Sequence, residues 1–363
     1  MQKNAKKIRV AVGMSGGVDS TMTALLLKKQ GFDVSGLTMK IWDNAYNFQE
    51  TARGCYGPGA EKNITGARKA AKKIDIPHFV IDVSQEFKKI VLEYFQKEYQ
   101  AGKTPNPCIV CNAKIKFGFL LDKALESGLK FDYFATGHYA NKSFDKKKKI
   151  YLLKRGSDKT KDQSYFLYRL TQKQLAKILF PLGKMTKDEI KKIARQNNFT
   201  GYADKQESQN FIECKDYSVI LTSGVPGKIV DPKGKILGKH KGVSLYTIGQ
   251  RKNLDLGGLK EPYFVIKIDA KNNLIIAGPR EYLYSDKVSV RDINWIVPLK
   301  FVQKNNIKVK IRYGAPLVAA TFIKKSTKAA TLKFQKPQLS VTPGQSIVFY
   351  DGETVLGGGI IVK

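Results

Sequence analysis

Two groups of residues in this sequence have the types and the spacing that chemistry requires. The first is the glycine-rich run GMSGGVDS at 13–20, and the second is the pair Cys108 and Cys111 within TPNPCIVCN at 104–112. Glycines in front of a helix start let backbone N–H groups approach an anion, and the helix dipole favours negative charge there. Thiolates act as nucleophiles, sulfur carriers or metal ligands. The first group therefore indicates phosphate binding, and the second is of a kind common in zinc and redox sites.

A strand and a helix must flank the glycine-rich run if it is to bind phosphate. Ile8, Val10 and Val12 alternate with smaller or polar residues, which predicts a strand. The apolar run from Met22 to Leu27 predicts a helix. The run lacks the Gly-Lys-Ser/Thr ending of the Walker motif and does not match the dinucleotide fingerprint. An ordinary strand-to-helix turn is the alternative interpretation.

Strands and helices are predicted to alternate through the first half of the chain. Strands are predicted at 32–39, 78–83 and 133–137, helices at 62–74, 85–100 and 114–127, a polar loop at 102–112 and helical structure at 160–200. Such alternation predicts a parallel sheet with right-handed crossovers, which binds ligands at the carboxyl ends of its strands.

From about residue 210 the pattern changes to short β-like runs separated by turns. A chain of 363 residues is also too long for one typical core. We therefore predict an α/β protein with an N-terminal parallel-sheet domain at 1–205, a central β-rich domain at 206–285 and a C-terminal small β-barrel at 286–363.

The composition indicates the partners and the compartment. The formal net charge of +33 suggests a polyanionic partner such as nucleic acid, and a lysine-rich composition without function is the alternative. No run of about 18 apolar residues is present, so we expect no membrane contact. The N-terminus lacks an apolar signal segment, and four cysteines are too few for a disulfide scaffold. We expect a cytoplasmic protein, and a monomer.

The glycine-rich run resembles the PP-loop of ATP pyrophosphatases, which split ATP between the α and β phosphates. Other motifs narrow the resemblance to one family, the tRNA-specific 2-thiouridylases, over essentially the whole chain. These motifs are GCYGPGA at 54–60, TPNPCIVCN at 104–112, ATGHYA at 135–140, KDQSYFLY at 161–168, ESQNFI at 207–212, YTIGQR at 246–251 and TPGQSIVFYDGE at 342–353. The resemblance implies an adenine nucleotide α-hydrolase-like fold for the first domain.

The resemblance also implies a reaction. ATP, with Mg²⁺, adenylates the 2-carbonyl oxygen of the wobble uridine in tRNA, and sulfur from the enzyme replaces the activated oxygen while AMP and pyrophosphate leave. The implied partners are tRNA and a sulfur donor protein or another source of sulfide. Another PP-loop enzyme, a synthetase or amidotransferase that adenylates a small molecule, is the alternative. A non-catalytic RNA-binding protein is a third hypothesis, which the intact SGGVDS sequence argues against.

Site residues are carried over from the family motifs. Cys111, Cys108 and Asp19 are the implied catalytic residues, although helix capping is the alternative for Asp19. The implied ATP-binding residues are Gly13, Met14, Ser15, Gly16, Gly17, Val18, Asp19, Ser20, Met39 and Gly137. The implied tRNA-binding residues are Asn106, Pro107, Cys108, His138, Lys161, Asp162, Gln163, Arg312, Tyr313 and Gln345. A hydrogen-bonded structural role is the alternative for His138.

The cysteines depart from the common form of the family. That form has Asp-x-x-Cys where this chain has Cys108 and Cys111, and its later cysteine aligns best with Asn210, four residues before Cys214. Two interpretations remain open. Cys111 acts with Cys214 through a persulfide, or Cys108 and Cys111 join Cys55, with Cys214 as the alternative ligand, to hold an iron–sulfur cluster with an open iron site. A Cys-x-x-Cys pair also occurs in zinc sites.

Overall fold

The computed structural model describes residues 7–46, 48, 54–205, 210–214, 217–221, 224–305 and 307–362. The first three residues of the ESQNFI motif, at 207–209, lie outside this part of the chain. The chain divides into two compact units. The first contains residues 1–90, 108–215 and 353–355, and the second contains residues 91–107, 216–352 and 356–363. The domain boundaries at 205 and 285 stay a prediction.

The first unit is built on a parallel sheet. Its strands are β1 (Arg9–Gly13), β2 (Asp33–Lys40), β3 (His78–Asp82), β4 (Tyr133–Ala135), β5 (Ala140–Asp145), β6 (Ile150–Arg155) and β7 (Ile178–Leu179). The order β3-β2-β1-β4-β7 forms the sheet, and all of its neighbouring pairs are parallel. β5 and β6 form an antiparallel hairpin. The predicted parallel sheet is confirmed.

Helices lie between and after these strands, and the fourth of them belongs to the second unit. They are α1 (Val18–Lys29), α2 (Ala60–Ile74), α3 (Ser84–Phe87), α4 (Glu93–Gln100), α5 (Pro107–Val110), α6 (Leu120–Glu126), α7 (Gln172–Lys177), α8 (Lys187–Gln196) and α9 (Thr200–Ala203). β1 is the central strand of the sheet, so both of its faces are covered. Ala11 is therefore as buried as Val10 and Val12, and the alternation of residue types in the sequence is not an alternation in burial.

Three predicted elements were wrong in detail. The stretch predicted as a loop up to residue 112 is helical from Pro107, because proline is favoured at a first helical position and Ile109 and Ile115 are buried. The predicted helix at 85–100 contains π-helical backbone at Lys88–Leu92 between α3 and α4. The region 160–200, predicted as helical, includes strand β7, whose β-branched Ile178 pairs with Phe134 at the edge of the sheet.

The second unit is rich in antiparallel strands. They are β8 (Gly227–Val230), β9 (Ile236–His240), β10 (Phe264–Asp269), β11 (Leu274–Gly278), β12 (Tyr284–Trp295), β13 (Ile307–Lys310), β14 (Val318–Lys325), β15 (Ala330–Leu339), β16 (Ser346–Asp351) and β17 (Thr354–Ile361). The order β10-β11-β8-β9 forms a small sheet with its own apolar core. The order β12-β15-β14-β13-β16-β17 closes through pairing of β17 with β12, so the predicted C-terminal barrel is confirmed.

Within the described residues, the helices are too short or too polar to cross a membrane.

Candidate active site

The glycine-rich run forms the turn between β1 and α1. The backbone N–H of Met14 donates to the Leu37 carbonyl at 2.8 Å, which holds the start of the turn against β2. Gly16 has a positive φ of +72°, and a Cβ there would lie 2.4 Å from the Asn63 carbonyl oxygen, so only glycine fits. Gly17 caps α1 in an extended conformation. The first N–H groups of α1 have no intrahelical acceptor, so this turn is suited to an anion.

Two hydroxyl groups shape the turn. The Ser20 hydroxyl donates to the Gly17 carbonyl at 3.1 Å, and it accepts from the Ser15 backbone N–H at 3.1 Å. The Ser15 hydroxyl lies 3.3 Å from the same oxygen. Because these bonds are local, the loop conformation is formed without a ligand, which lowers the cost of ordering it on binding.

Asp19 lies in the first turn of α1 and is held by two partners. Lys187 donates to both carboxylate oxygens at 2.8 Å, and the Tyr139 hydroxyl donates to Oδ1 at 2.8 Å. Lys187 is buried at 6% exposure and is the first residue of α8. The structure therefore places an ion pair beside the anion-binding turn. The predicted catalytic role of Asp19 stays a prediction.

Other predicted ATP-binding residues lie at the carboxyl ends of the strands. Met39 is near the end of β2, and Gly137 follows β4. A Cβ at Gly137 would lie 2.9 Å from the Asp19 carbonyl carbon and 3.0 Å from the Ser20 nitrogen, so this glycine lets the chain after β4 approach α1 closely. Gly13 ends β1 at the same edge of the sheet. The structure thus brings these predicted residues to one edge.

Cys108 lies in α5, and Cys111 begins the π-helical stretch Cys111–Phe119. Wide turns of this kind leave carbonyl groups in need of other donors, and they are frequent at functional sites. Gln174 supplies such donors from α7, through Nε2 to the Phe117 carbonyl at 2.7 Å and to the Ala113 carbonyl at 3.4 Å. The backbone that carries Cys111 is therefore fastened by a side chain distant in sequence.

Cys55 lies close enough to Cys108 and Cys111 for its charge to act on both thiols. Burial, with a smaller contribution from that charge, raises the pKa of Cys108 and of Cys111 to about 12. The residue Cys55 is exposed to solvent. Its thiol is nevertheless surrounded by protein, and this desolvation raises the pKa of the thiol. The Lys116 ammonium acts in the opposite direction and lowers the pKa of all three thiols.

Cys214 is buried, and none of the four cysteines forms a disulfide. In the described ranges, no group of three or more His, Cys, Asp and Glu side chains is placed to hold a metal ion. The three thiols are therefore grouped without forming a ready cluster or zinc site, and the predicted metal ligands stay a prediction.

His138 faces the same region. Its Nδ1 lies 2.7 Å from the Thr136 hydroxyl, and its ring contacts Phe117 and Phe180. Burial and then the nearby Lys116 charge hold the pKa of His138 well below its usual value of 6.5, so the imidazole is neutral at physiological pH. The structure gives His138 a hydrogen-bonded partner, and its predicted contact with tRNA stays a prediction.

The KDQ motif fixes the chain after β6. The Asp162 carboxylate is 2% exposed and accepts from Arg155 Nε at 3.0 Å and the Gly156 N–H at 3.0 Å. The Gln163 side-chain oxygen accepts from the Tyr139 N–H at 3.1 Å. The structure thus uses both side chains internally. The predicted tRNA contacts of these two residues, and of the half-buried Lys161, stay predictions.

The remaining predicted tRNA-binding residues lie in the second unit or at its boundary. Arg312 and Tyr313 are exposed in the turn after β13, where the Lys310 ammonium lies 6.0 Å from the Tyr313 ring centre. Gln345 donates through Nε2 to the Thr104 carbonyl at 2.9 Å. That bond joins the PGQ turn to the loop that leads to Asn106 and Pro107.

Comparison with known proteins decides the family. Residues 8–214 match the family described as "tRNA methyl transferase HUP domain", residues 218–279 its "PRC-barrel domain" and residues 285–361 the "Aminomethyltransferase beta-barrel domain". The tRNA-specific 2-thiouridylase MnmA of Endomicrobium trichonymphae is 47% identical over 360 residues, which cover 98% of this chain and 99% of that protein. The chain belongs to the tRNA-specific 2-thiouridylase family.

Another 2-thiouridylase, MnmA 2 of Thermoanaerobacter pseudethanolicus, is 46% identical over 363 residues, which cover 98% of each chain. A solved complex of a 4-thiouridine synthetase with RNA and ATP matches 56% of this chain and 44% of its own at 12% identity, with a TM-score of 0.34. A likeness at that level carries no argument. The family resemblance predicted from the motifs is confirmed, and the small-molecule alternative gains no support.

Several residues of this 2-thiouridylase's site were missed by sequence reasoning. Thr186 and Glu189 form a capping box, a signal that identifies the start of α8 and places Lys187 in its first turn. The sequence around Lys187 gives no sign that its ammonium pairs with Asp19. Lys116 follows Cys111 by five residues, and only the π-helical backbone, which is not evident from the sequence, suggests that they share a face.

Proposed function

We propose that this 2-thiouridylase family member catalyses ATP-dependent 2-thiolation of the wobble uridine in tRNA. The observation that carries the proposal is that one compact unit contains both an anion-binding turn at the start of α1 and three neighbouring thiols. The names of its relatives supply the tRNA substrate and the position of the thiolation. The protein is proposed to act in the cytoplasm, which agrees with four cysteines that form no disulfide.

In the first step the turn at 13–20 binds the phosphates of ATP through backbone N–H groups. The uridine 2-carbonyl oxygen attacks the α-phosphate, and pyrophosphate leaves. Mg²⁺ would arrive with the ATP phosphates and neutralise their charge. Asp19 already accepts hydrogen bonds from Lys187 and Tyr139, so it contributes by fixing the first turn of α1 beside the phosphates. Adenylation gives a poor electrophile a leaving group.

In the second step, with a persulfide on Cys111, the outer sulfur attacks the adenylated carbon and AMP leaves. A second thiol, proposed to be that of Cys214, then attacks the Cys111 sulfur and breaks the S–S bond. This releases the 2-thiouridine and leaves a disulfide that an external thiol reduces. Cys111 and Cys108 are the proposed catalytic residues; the Lys116 charge offsets part of the rise in pKa that burial imposes on both thiols.

A persulfide on Cys111, or an iron–sulfur cluster on Cys55, Cys108 and Cys111, is the proposed carrier. A donor protein that bears a persulfide reloads Cys111 by transfer of its outer sulfur, whereas sulfide would serve only a cluster. The described thiols are not arranged as metal ligands.

The test is AMP release by the purified protein from ATP with and without unmodified tRNA. We expect AMP to appear only with tRNA. Ser15→Ala should lower AMP release at least about 10²-fold while leaving tRNA binding intact, because it removes a group from the phosphate turn. Ser157→Ala, at an exposed position of the same unit, is the control. Release of AMP with a small molecule in place of tRNA would overturn the proposal.

A further inference from the structure

The loop that carries Cys55 is fastened to the segment before Cys214. The Tyr56 N–H donates to the Phe211 carbonyl at 2.9 Å, and the Glu213 N–H donates to the Tyr56 carbonyl at 3.0 Å. Tyr56 and Ile212 form an isolated parallel bridge. These bonds flank Cys55 on its C-terminal side and join two segments that are far apart in sequence.

Glu213 adds a third connection through its side chain. Its carboxylate is buried at 4% exposure and accepts from the Gly59 N–H at 2.5 Å. Gly59 is the cap of α2, so the carboxylate also lies at the positive end of a helix of 15 residues. A Cβ on Gly59 would lie 2.4 Å from Glu213 Oε1. The glycine thus makes room for the carboxylate.

Tyr56 fixes the other side of the loop. Its ring is fully buried, stacks on Phe87 with centroids 5.3 Å apart and meets Trp42 edge-on at 4.7 Å. Its hydroxyl donates to Asp43 Oδ1 at 2.6 Å. With the ring on one side and Glu213 on the other, the backbone of the Cys55 loop has little freedom to move away from the other thiols.

We propose that Glu213 is a positioning residue that holds Cys55 beside Cys108 and Cys111. That Glu213 matters for catalysis rests on the proposed function, but that it holds the Cys55 loop in place does not. Without the carboxylate, the N–H groups at the start of α2 lose an acceptor and the space beside Gly59 opens. The Cys55 loop then keeps its backbone bonds to the segment at 211–214 but loses the side-chain attachment, so the Cys55 thiol is held less firmly beside Cys108 and Cys111.

The test is oxidative cross-linking of the full chain with diamide, without ATP or tRNA. Disulfides are identified by peptide mass spectrometry, and initial rates are compared for bonds that include Cys55 and for the Cys108–Cys111 bond. Two variants disturb the contact from opposite sides, Glu213→Ala and Gly59→Ala. Glu213→Gln retains an acceptor oxygen. Gly66→Ala in the same helix is the matched control, since its Cβ would meet nothing closer than 3.7 Å.

We expect Glu213→Ala and Gly59→Ala to slow disulfide formation by Cys55 at least about fivefold, because a disulfide requires closely placed Cα atoms. The Cys108–Cys111 rate should stay within about twofold, as should all rates in Glu213→Gln and Gly66→Ala. Circular dichroism confirms folding. If Glu213→Ala does not fold, Glu213→Asp, with a carboxylate one methylene shorter, takes its place.

Unchanged Cys55 rates in both disturbing variants would overturn the inference, as would an equal fall in the Cys108–Cys111 rate. A separate assay of tRNA thiolation distinguishes this inference from the proposed function. If cross-linking by Cys55 falls but thiolation persists, Glu213 positions Cys55 as proposed, and the part assigned to Cys55 in sulfur transfer is wrong.

Discussion

Lys187 donates hydrogen bonds to both carboxylate oxygens of Asp19, so the first residue of α8 is joined to the first turn of α1 by a two-point ion pair. The Tyr139 hydroxyl donates to the same carboxylate. Lys187 is almost fully buried, and an ammonium in that position is tolerated because Asp19 neutralises it. The pair therefore links the shape of the phosphate-binding turn to the stability of the unit.

Asp19→Ala should lower the free energy of unfolding by about 3 kcal/mol, since it removes the carboxylate that neutralises the buried Lys187 ammonium. Adding Lys187→Met should recover part of the loss, because the buried charge is then gone. Urea unfolding of the two single variants and the double variant measures the coupling. Asp188→Ala, at an exposed neighbouring position, should change stability by less than about 0.5 kcal/mol. Additive losses in the double variant would contradict the pairing.

Gly137→Ala should weaken ATP binding by about tenfold or more while the protein still folds, because its Cβ would displace backbone at the start of α1. Equilibrium binding of a fluorescent ATP analogue measures the effect. Gly201→Ala, where a Cβ would meet nothing within 4 Å, should bind as the wild type does. Equal affinity in the two variants would show that α1 does not need this close approach.

Serine substitutions at the four cysteines distinguish the two proposed sulfur carriers, a cluster and a persulfide. If a cluster carries sulfur, Ser substitutions at Cys55, Cys108 and Cys111 should each abolish tRNA thiolation, and Cys214→Ser should be mild. If a persulfide carries it, Cys111 and Cys214 should be essential, and Cys55 and Cys108 dispensable. We expect the first pattern because the charge of Cys55 acts on both Cys108 and Cys111, although the described side chains are not arranged as metal ligands.

Thiolation is measured after anaerobic purification, together with the absorption spectrum and the iron and sulfide content. If a cluster carries sulfur, the purified protein must contain iron and must lose activity in air, because an open iron site reacts with oxygen. An active Cys55→Ser variant with an inactive Cys214→Ser variant would reverse the preference. Retained thiolation in Cys111→Ser would contradict both carriers.

Affinity for tRNA should fall at least about 10²-fold between roughly 50 and 200 mM salt, because lysines and arginines displace counterions from the phosphates. The formal net charge of +33 motivates the expectation. Filter binding at a series of salt concentrations measures the slope. A slope near zero would show that the basic composition has no part in binding tRNA.

Arg312→Ala should weaken tRNA binding and reduce the magnitude of the salt slope by about one, since one phosphate contact is lost. Arg312 is exposed beside Tyr313, so its loss should not affect folding. Affinity for ATP without tRNA is the internal control, and Arg312→Lys should retain the slope because it retains the charge. A parallel loss of ATP affinity would show that Arg312 is not a tRNA contact.

The sequence was informative where structure is local. The strand, turn and helix around residues 13–20 are contiguous, so periodicity and glycines were enough to predict them. The C-terminal barrel was predictable from evenly spaced short strands. The Asp19–Lys187 pair was not, because its members lie 168 residues apart and each has an ordinary local role. The π-helical backbone at Cys111 depends on Gln174, which is equally remote.

The segment 91–107 lies early in the chain but belongs to the second compact unit. Phe95 packs edge-on against Tyr217, Gln96 donates to the Ile220 carbonyl, and the Thr104 N–H donates to the Pro343 carbonyl. During synthesis this segment leaves the ribosome long before those partners exist. The second unit therefore cannot finish folding until translation has nearly ended, and the face of α4 that packs on Tyr217 stays uncovered in the meantime.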